Sequence, residues 1–135
     1  LFLVSQFVLK LNPWFMPRYM IPLAGMIFAS SMNGVSLAAE RLQAEMDRNV
    51  EYIQARSIAL RAALIPITNS LFAVGLVSLP GMMTGQILSG VSPLIAARYQ
   101  IMVMCMIFSA VGLSSALFLI MIKSQLSELT GKTLK

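Results

Sequence analysis

The chain has 135 residues, 58% of them hydrophobic and only 11% charged, with a formal net charge of +5 and a mean hydropathy of +0.81. Soluble domains carry roughly 25% charged residues, and a chain of this length has too little interior to hide so many apolar side chains, so the composition argues against a water-soluble fold. A bilayer, by contrast, accepts helices that are apolar on every side.

The opening run LFLVSQFVL, residues 1–9, begins at Leu1 inside an apolar stretch and reads as the end of a truncated span. A cleaved signal peptide is not the expectation, because Lys10 follows the apolar run and bulky residues stand where a cleavage site needs small ones. The turn KLNPWFMPR, 10–18, ends that span with two prolines, and Trp14, Phe15 and Tyr19 are of the type that settles at a bilayer interface.

Residues 19–39 carry no charge and are long enough to form a second span. Pro22 is expected in its first turn, where a missing N–H does no harm. The small residues Ala24, Gly25, Ala29, Ser30, Ser31 and Gly34 predict close contact with neighbouring helices.

Charge returns abruptly at Glu40. Leu42, Met46, Val50 and Ile53 form one apolar stripe over 40–61, while Glu40, Arg41, Glu45, Asp47, Arg48 and Glu51 cover the rest, which predicts a single amphipathic helix in water. Such a stretch is either a solvated connecting helix or a docking element, and the residues alone leave both readings open.

From Ala62 to Ala97 no residue is ionisable. Pro66, Ser78-Leu79-Pro80-Gly81 and Ser89-Gly90-Val91-Ser92-Pro93 are the breakers, predicting a span over 69–88 with Pro80-Gly81 near mid-depth and a turn around Gly90 to Pro93. Residues 99–122 form the last span, and 123–135 read as a polar, frayed tail.

The fold class expected is therefore all-α and polytopic, with about three full spans plus the end of a fourth. Alternation puts Arg41, Arg48, Arg56, Arg61, Lys123, Lys132 and Lys135 on one side, against Lys10, Arg18 and Arg98 on the other. The positive-inside tendency makes the first side, with the 40–61 segment and the C-terminus, cytoplasmic.

There is no histidine, no nucleophile–base set, no phosphate-binding lysine loop and no zinc-ligand spacing, and the lone Cys105 can form neither a disulfide nor a thiolate cluster within this chain. Catalysis by this chain is not expected, and scattered basic residues give no nucleic-acid footprint. The eleven methionines, among them Met26, Met32, Met82, Met83, Met102, Met104 and Met106, admit a thioether metal path but are more simply adaptable apolar filler. No metal ligand is assigned.

Two strings are more specific. IPLAGMIFASSMNGVSLAAERL, 21–42, and RAALIPITNSLFAVGLVSLPGMMTGQILSGVSPLIAARYQIMVM, 61–104, closely resemble the FetB-type permeases, bacterial iron exporters related to the plant aluminium-tolerance permeases. The resemblance implies the C-terminal portion of a membrane-spanning subunit in the bacterial inner membrane. It further implies a separate cytoplasmic ATP-binding subunit that holds ATP-Mg, a permease homodimer, surrounding lipid and a metal ion as substrate, with no cofactor in this chain. Two departures stand out: Ala29-Ser30 replaces a Gly-Asn pair, and a Leu-Gly-Ala-Thr/Ser-Pro turn is missing near 54–56, where a skipped loop is the expectation.

On that resemblance Glu51, Arg56 and Arg61 are assigned to coupling with the ATPase, and Pro80, Gly81, Met82 and Met83 to a hinge and gate, with lever and hinge adjacent in sequence. An ATP-independent channel or secondary carrier is the alternative, and a scaffold without transport a third reading.

Overall fold

The computed structural model describes residues 17–76 and 80–130, with side chains over 20–74 and 80–124. The partial span expected over 1–9, the turn expected over 10–18 up to residue 16, Ser78 and Leu79 of the break, and the chain beyond 130 lie outside the described residues, while Pro17 and Arg18 of that turn are already helical. Among the described residues four helices follow one another: α1 (Pro17–Asp47), α2 (Tyr52–Leu76), α3 (Gly81–Leu88) and α4 (Pro93–Thr130). Three of them are long and apolar enough to cross a membrane. At 1.5 Å per residue the 31-, 25- and 38-residue helices run about 46, 37 and 57 Å, each longer than ~30 Å of hydrocarbon.

The all-α architecture with three spans is as expected, but the boundaries differ. The amphipathic helix expected over 40–61 does not exist as one helix. Residues 40–47 are the last turns of α1, 52–61 are the first turns of α2, and a tight turn at 48–51 joins them. Asn49 makes that turn, taking the left-handed conformation with φ 60°. The N–H of Val50 donates to the Glu45 carbonyl at 3.1 Å and that of Asn49 to the Met46 carbonyl at 2.9 Å, the paired bonds of a Schellman motif. Leu42 is buried, and Met46 and Val50 pack beside it, as the stripe requires, but Asn49 resets the helical phase so that Tyr52 and Ala55 turn inward and Ile53 is 55% exposed.

The span expected over 69–88 is also displaced. The crossing segment of α2 is Tyr52–Val74, so Pro80 caps α3 beyond its end with φ −60° and ψ 143° instead of breaking a helix at mid-depth. An uncharged run from 62 to 97 gives hydropathy no mark to set the phase, which is why the sequence misplaces it. The turn near Gly90 to Pro93 is confirmed: Gly90, at φ 87°, and Val91 close a second Schellman motif on Ile87 and Gln86, and Pro93 opens α4 behind Ser92. Helix α4 starts six residues earlier than expected and runs to Thr130, through residues that read as tail. Pro22 stands sixth in α1, one turn deeper than a harmless first-turn position.

Packing fixes the arrangement. At the charged end, Ala38 and Leu42 of α1 meet Tyr52, Ala55, Ala59 and Ala63 of α2 and Leu119 of α4. At the opposite end, Leu23 of α1 meets Val103, Ile107 and Val111 of α4, with Leu64 and Ile67 of α2 against them. Helices α1 and α4 are therefore parallel and α2 antiparallel to both. An alanine stripe at four-residue spacing lets α2 approach closely where dispersion drives association. Of the small residues singled out in α1, only Gly34 is buried; Gly25 and Ala29 are exposed. A Cβ on Gly34 would lie 2.6 Å from Val111 Cγ1 and 3.1 Å from Ser115 Oγ, so α1 and α4 approach closely there.

Candidate functional site

The charged end of the bundle is organised around Glu45, a carboxylate 4% exposed at the last turn of α1. Arg41 Nη2 lies 2.6 Å and Arg48 Nη1 3.7 Å from the same oxygen, Oε1, so a buried charge is held between one cation of its own helix and one of the turn that follows. Beside it the Tyr52 hydroxyl donates to the backbone carbonyl of Leu119, tying the start of α2 to α4. The Lys123 ammonium stands 5.9 Å from the centre of the Tyr52 ring. These contacts make the α1–α2 turn and the end of α4 one packed unit.

The three residues assigned to coupling sit on that unit but do not converge. Glu51 precedes α2, its carbonyl accepting from the Ala55 N–H at 2.9 Å, and its acid side chain suits the positive end of the helix dipole. Arg56 is exposed beside the Tyr52 turn, and Arg61 is exposed on the side of α2 away from Ala55, Ala59 and Ala63. Ten residues of rise, about 15 Å, separate Glu51 from Arg61. All three are open to a partner.

Pro80, Gly81, Met82 and Met83 form the start of α3, with Gly81 exposed and the others half-buried. They lie at the opposite end of α2 from the coupling residues. The helix from Arg61 to Leu76 alone spans about 22 Å, so lever and hinge are separated by the depth of the bundle and are not neighbours. Met26, Met102 and Met106 pack on the Leu23–Val111 cluster and Met104 is buried in α4, as filler would be, whereas Met32 is 70% exposed. Among the described residues, no group of three or more His, Cys, Asp or Glu is placed to hold a metal ion.

Sequence reasoning missed a cleft between two of the helices. About 170 Å³ of space opens between α1 and α2, with Val111 of α4 at its floor beside Gly34. Ser30 and Asn33 of α1 and Pro66 and Ser70 of α2 line it. The Ser70 hydroxyl donates to the Pro66 carbonyl at 2.9 Å, and two residues back Thr68 does the same to Leu64 at 2.8 Å. The available signal was the polar triplet Thr68-Asn69-Ser70 one turn beyond Pro66, in a stretch otherwise apolar.

Comparison with known proteins adds a family and relatives. The family described as an uncharacterised protein family, UPF0014, matches residues 1–56 and 52–126, two stretches that overlap where α2 begins. A UPF0014 membrane protein of Synechocystis is 44% identical over 117 residues, 76% of this chain and 45% of that protein. The Escherichia coli protein named probable iron export permease protein FetB is 40% identical over 75% of this chain and 45% of its own length. The Arabidopsis protein named ALUMINUM SENSITIVE 3 is 40% identical over 75% of this chain and 42% of its length. The chain thus spans less than half the length of these relatives. No solved structure matches.

Proposed function

The chain belongs to the UPF0014 family of membrane proteins, and we propose that it forms the C-terminal part of a permease that exports metal ions, iron first among them, driven by ATP hydrolysis in a separate subunit. The observation that carries this reading is the 40% identity, over three quarters of the chain, with the protein named a probable iron export permease. A drive supplied by a partner fits the stretch from Ala62 to Ala97, the later part of α2 and all of α3, which carries no ionisable group of the kind a proton-driven carrier keeps in the membrane.

In the proposed mechanism the ATPase docks in the cytoplasm on the charged end, at Glu51, Arg56 and Arg61. Because the Tyr52–Leu119 bond and the cluster of Leu42, Ala55, Ala59 and Leu119 fasten the α1–α2 turn to α4, a push there moves the three spans as one body. The motion is taken up at the far end, where Pro80-Gly81 separates α2 from α3 and Met82 and Met83 gate by their bulk. The permease works as a homodimer in the bacterial inner membrane, with its C-terminus cytoplasmic.

The test is purification of the tagged full-length protein from its own membranes, with metal content compared between cells that hold and lack it. A stoichiometric nucleotide-binding subunit and lowered cellular iron are expected. A lone protein that still lowers iron would point to an ATP-independent carrier, and unchanged metal content would remove the export reading. Unaltered metal tolerance with Arg61→Glu would remove the coupling role of that residue alone.

A further inference from the structure

The cleft between α1 and α2 has a chemistry unlike that of the methionines at the α2–α3 break. None of the residues lining it is charged, yet polar groups gather on it from both helices. Asn33 and Ser70 are exposed among the described residues although both belong to membrane-crossing segments, Met20–Asp47 and Tyr52–Val74. An amide or hydroxyl pressed against lipid tails loses its water without replacement, so polar groups at membrane depth face another helix or a wet cavity. At ~30 Å³ per molecule, 170 Å³ has room for about five waters.

The permease reading supplies the sign of the ligand, and the cleft supplies oxygen atoms that can face it. Ser70 commits its one proton to the Pro66 carbonyl, so its oxygen presents only lone pairs to the cleft. Pro66 has no N–H and so withdraws the helical donor from the Ala62 carbonyl on the same side of α2. The Asn33 amide offers a carbonyl oxygen from the facing helix. The cleft thus offers oxygen acceptors beside the Asn33 amide N–H groups and the Ser30 hydroxyl. Hard divalent cations take such oxygens, whereas thioethers favour soft monovalent ones. The lack of a carboxylate keeps binding weak enough for release, which a conducting site needs.

We infer that this cleft is a water-filled, oxygen-lined transit site for a hard divalent cation that keeps part of its hydration shell, with Asn33 and Ser70 as its contact groups. The inference rests on the permease reading above and names the chemistry of its substrate and the place where it passes. Gly34 keeps the floor of the site open, since any side chain there would meet Val111.

The test uses the full-length protein freed of native cysteines, Cys105 included. Asn33→Cys and Ser70→Cys are reacted with a positively charged, membrane-impermeant thiol reagent, with Phe72→Cys, whose native side chain is 65% exposed on α2, as the lipid-side control. The two cleft positions are expected to react roughly tenfold faster than the control, because the reagent travels only through water. Millimolar Mn²⁺ is expected to slow them, and potassium at the same ionic strength to leave them unchanged. Reaction no faster than at Phe72→Cys, or rates indifferent to Mn²⁺, would overturn the assignment. Labelling requires no transport, so a full-length protein that fails to export Mn²⁺ sinks the permease reading while the labelling rates still decide on the site. In exporting cells Asn33→Leu is expected to lower Mn²⁺ efflux about tenfold while Met32→Leu, at an exposed thioether outside both the cleft lining and the gate, keeps it; the reverse pattern would move the ion to the thioethers.

Discussion

The approach of α1 to α4 at Gly34 yields a quantitative prediction. In Gly34→Ala the new Cβ stands 2.6 Å from Val111 Cγ1, against about 3.5–4.0 Å for carbons in ordinary contact, so something must move by roughly 1 Å. Val111 is β-branched and held to one rotamer in a helix, so rotation gives little relief and the helices must part. Overpacking of this kind costs about 1–3 kcal/mol. Alanine also gains about 0.5–1 kcal/mol over glycine as a helix former, so the single variant shows a net loss of only about 0–2.5 kcal/mol. A double-mutant cycle removes that ambiguity, because the propensity gain is the same in both backgrounds. With Val111→Ala the obstructing methyl is gone, and Gly34→Ala is expected to become neutral or stabilising, giving a coupling of about 1–3 kcal/mol. Reversible unfolding of the full-length protein in mixed micelles, followed through denaturant midpoints, measures all four variants. A coupling within about 0.3 kcal/mol of zero would refute the close approach.

Other contacts give smaller but signed effects. Tyr52→Phe loses the hydroxyl bond to Leu119 and is expected to lower stability in the same unfolding assay by about 0.6 kcal/mol, typical of a side-chain bond between membrane helices. Arg41→Ala, which leaves the buried Glu45 carboxylate with only the 3.7 Å contact to Arg48, is expected to destabilise more than Glu45→Gln, which removes the charge itself; the ordering of the two midpoints is the check. At the α1–α2 turn, Asn49→Gly should be neutral within a few tenths of a kcal/mol, whereas Asn49→Val should cost about 1–2 kcal/mol because φ 60° strains a β-branched residue.

How far the sequence can be read depends on what kind of signal each element carries. The spans announce themselves through the absence of charge, and Gly90 and Pro93 mark a turn whose chemistry admits few alternatives. Leu42, Met46 and Val50 correctly show the inward face at the end of α1. The periodicity then fails at Ile53, because one residue in the left-handed region shifts every later position, and an asparagine between charged residues is a weak sign of such a stop. Arg56 and Arg61 suggest water, yet α2 carries them at its end with their heads exposed, as long basic side chains allow. Proline misleads in the opposite way: Pro66 lies inside α2 and Pro80 outside it, although both look like breakers, since in lipid hydroxyls such as Ser70 can answer backbone groups nearby. The cleft was invisible for a related reason. Ser30, Asn33 and Ser70 are far apart in sequence and unremarkable singly, and only the antiparallel pairing of α1 with α2 brings them to one place.

Inverted membrane vesicles containing the full-length protein and its co-purified partner provide the most direct measurement. Loaded from outside with Fe²⁺ or Mn²⁺, they should accumulate the ion when ATP is supplied and stop when hydrolysis is blocked, with a proton uncoupler making no difference. Accumulation that ignores ATP but collapses with the uncoupler, or no accumulation of either ion, would contradict the account.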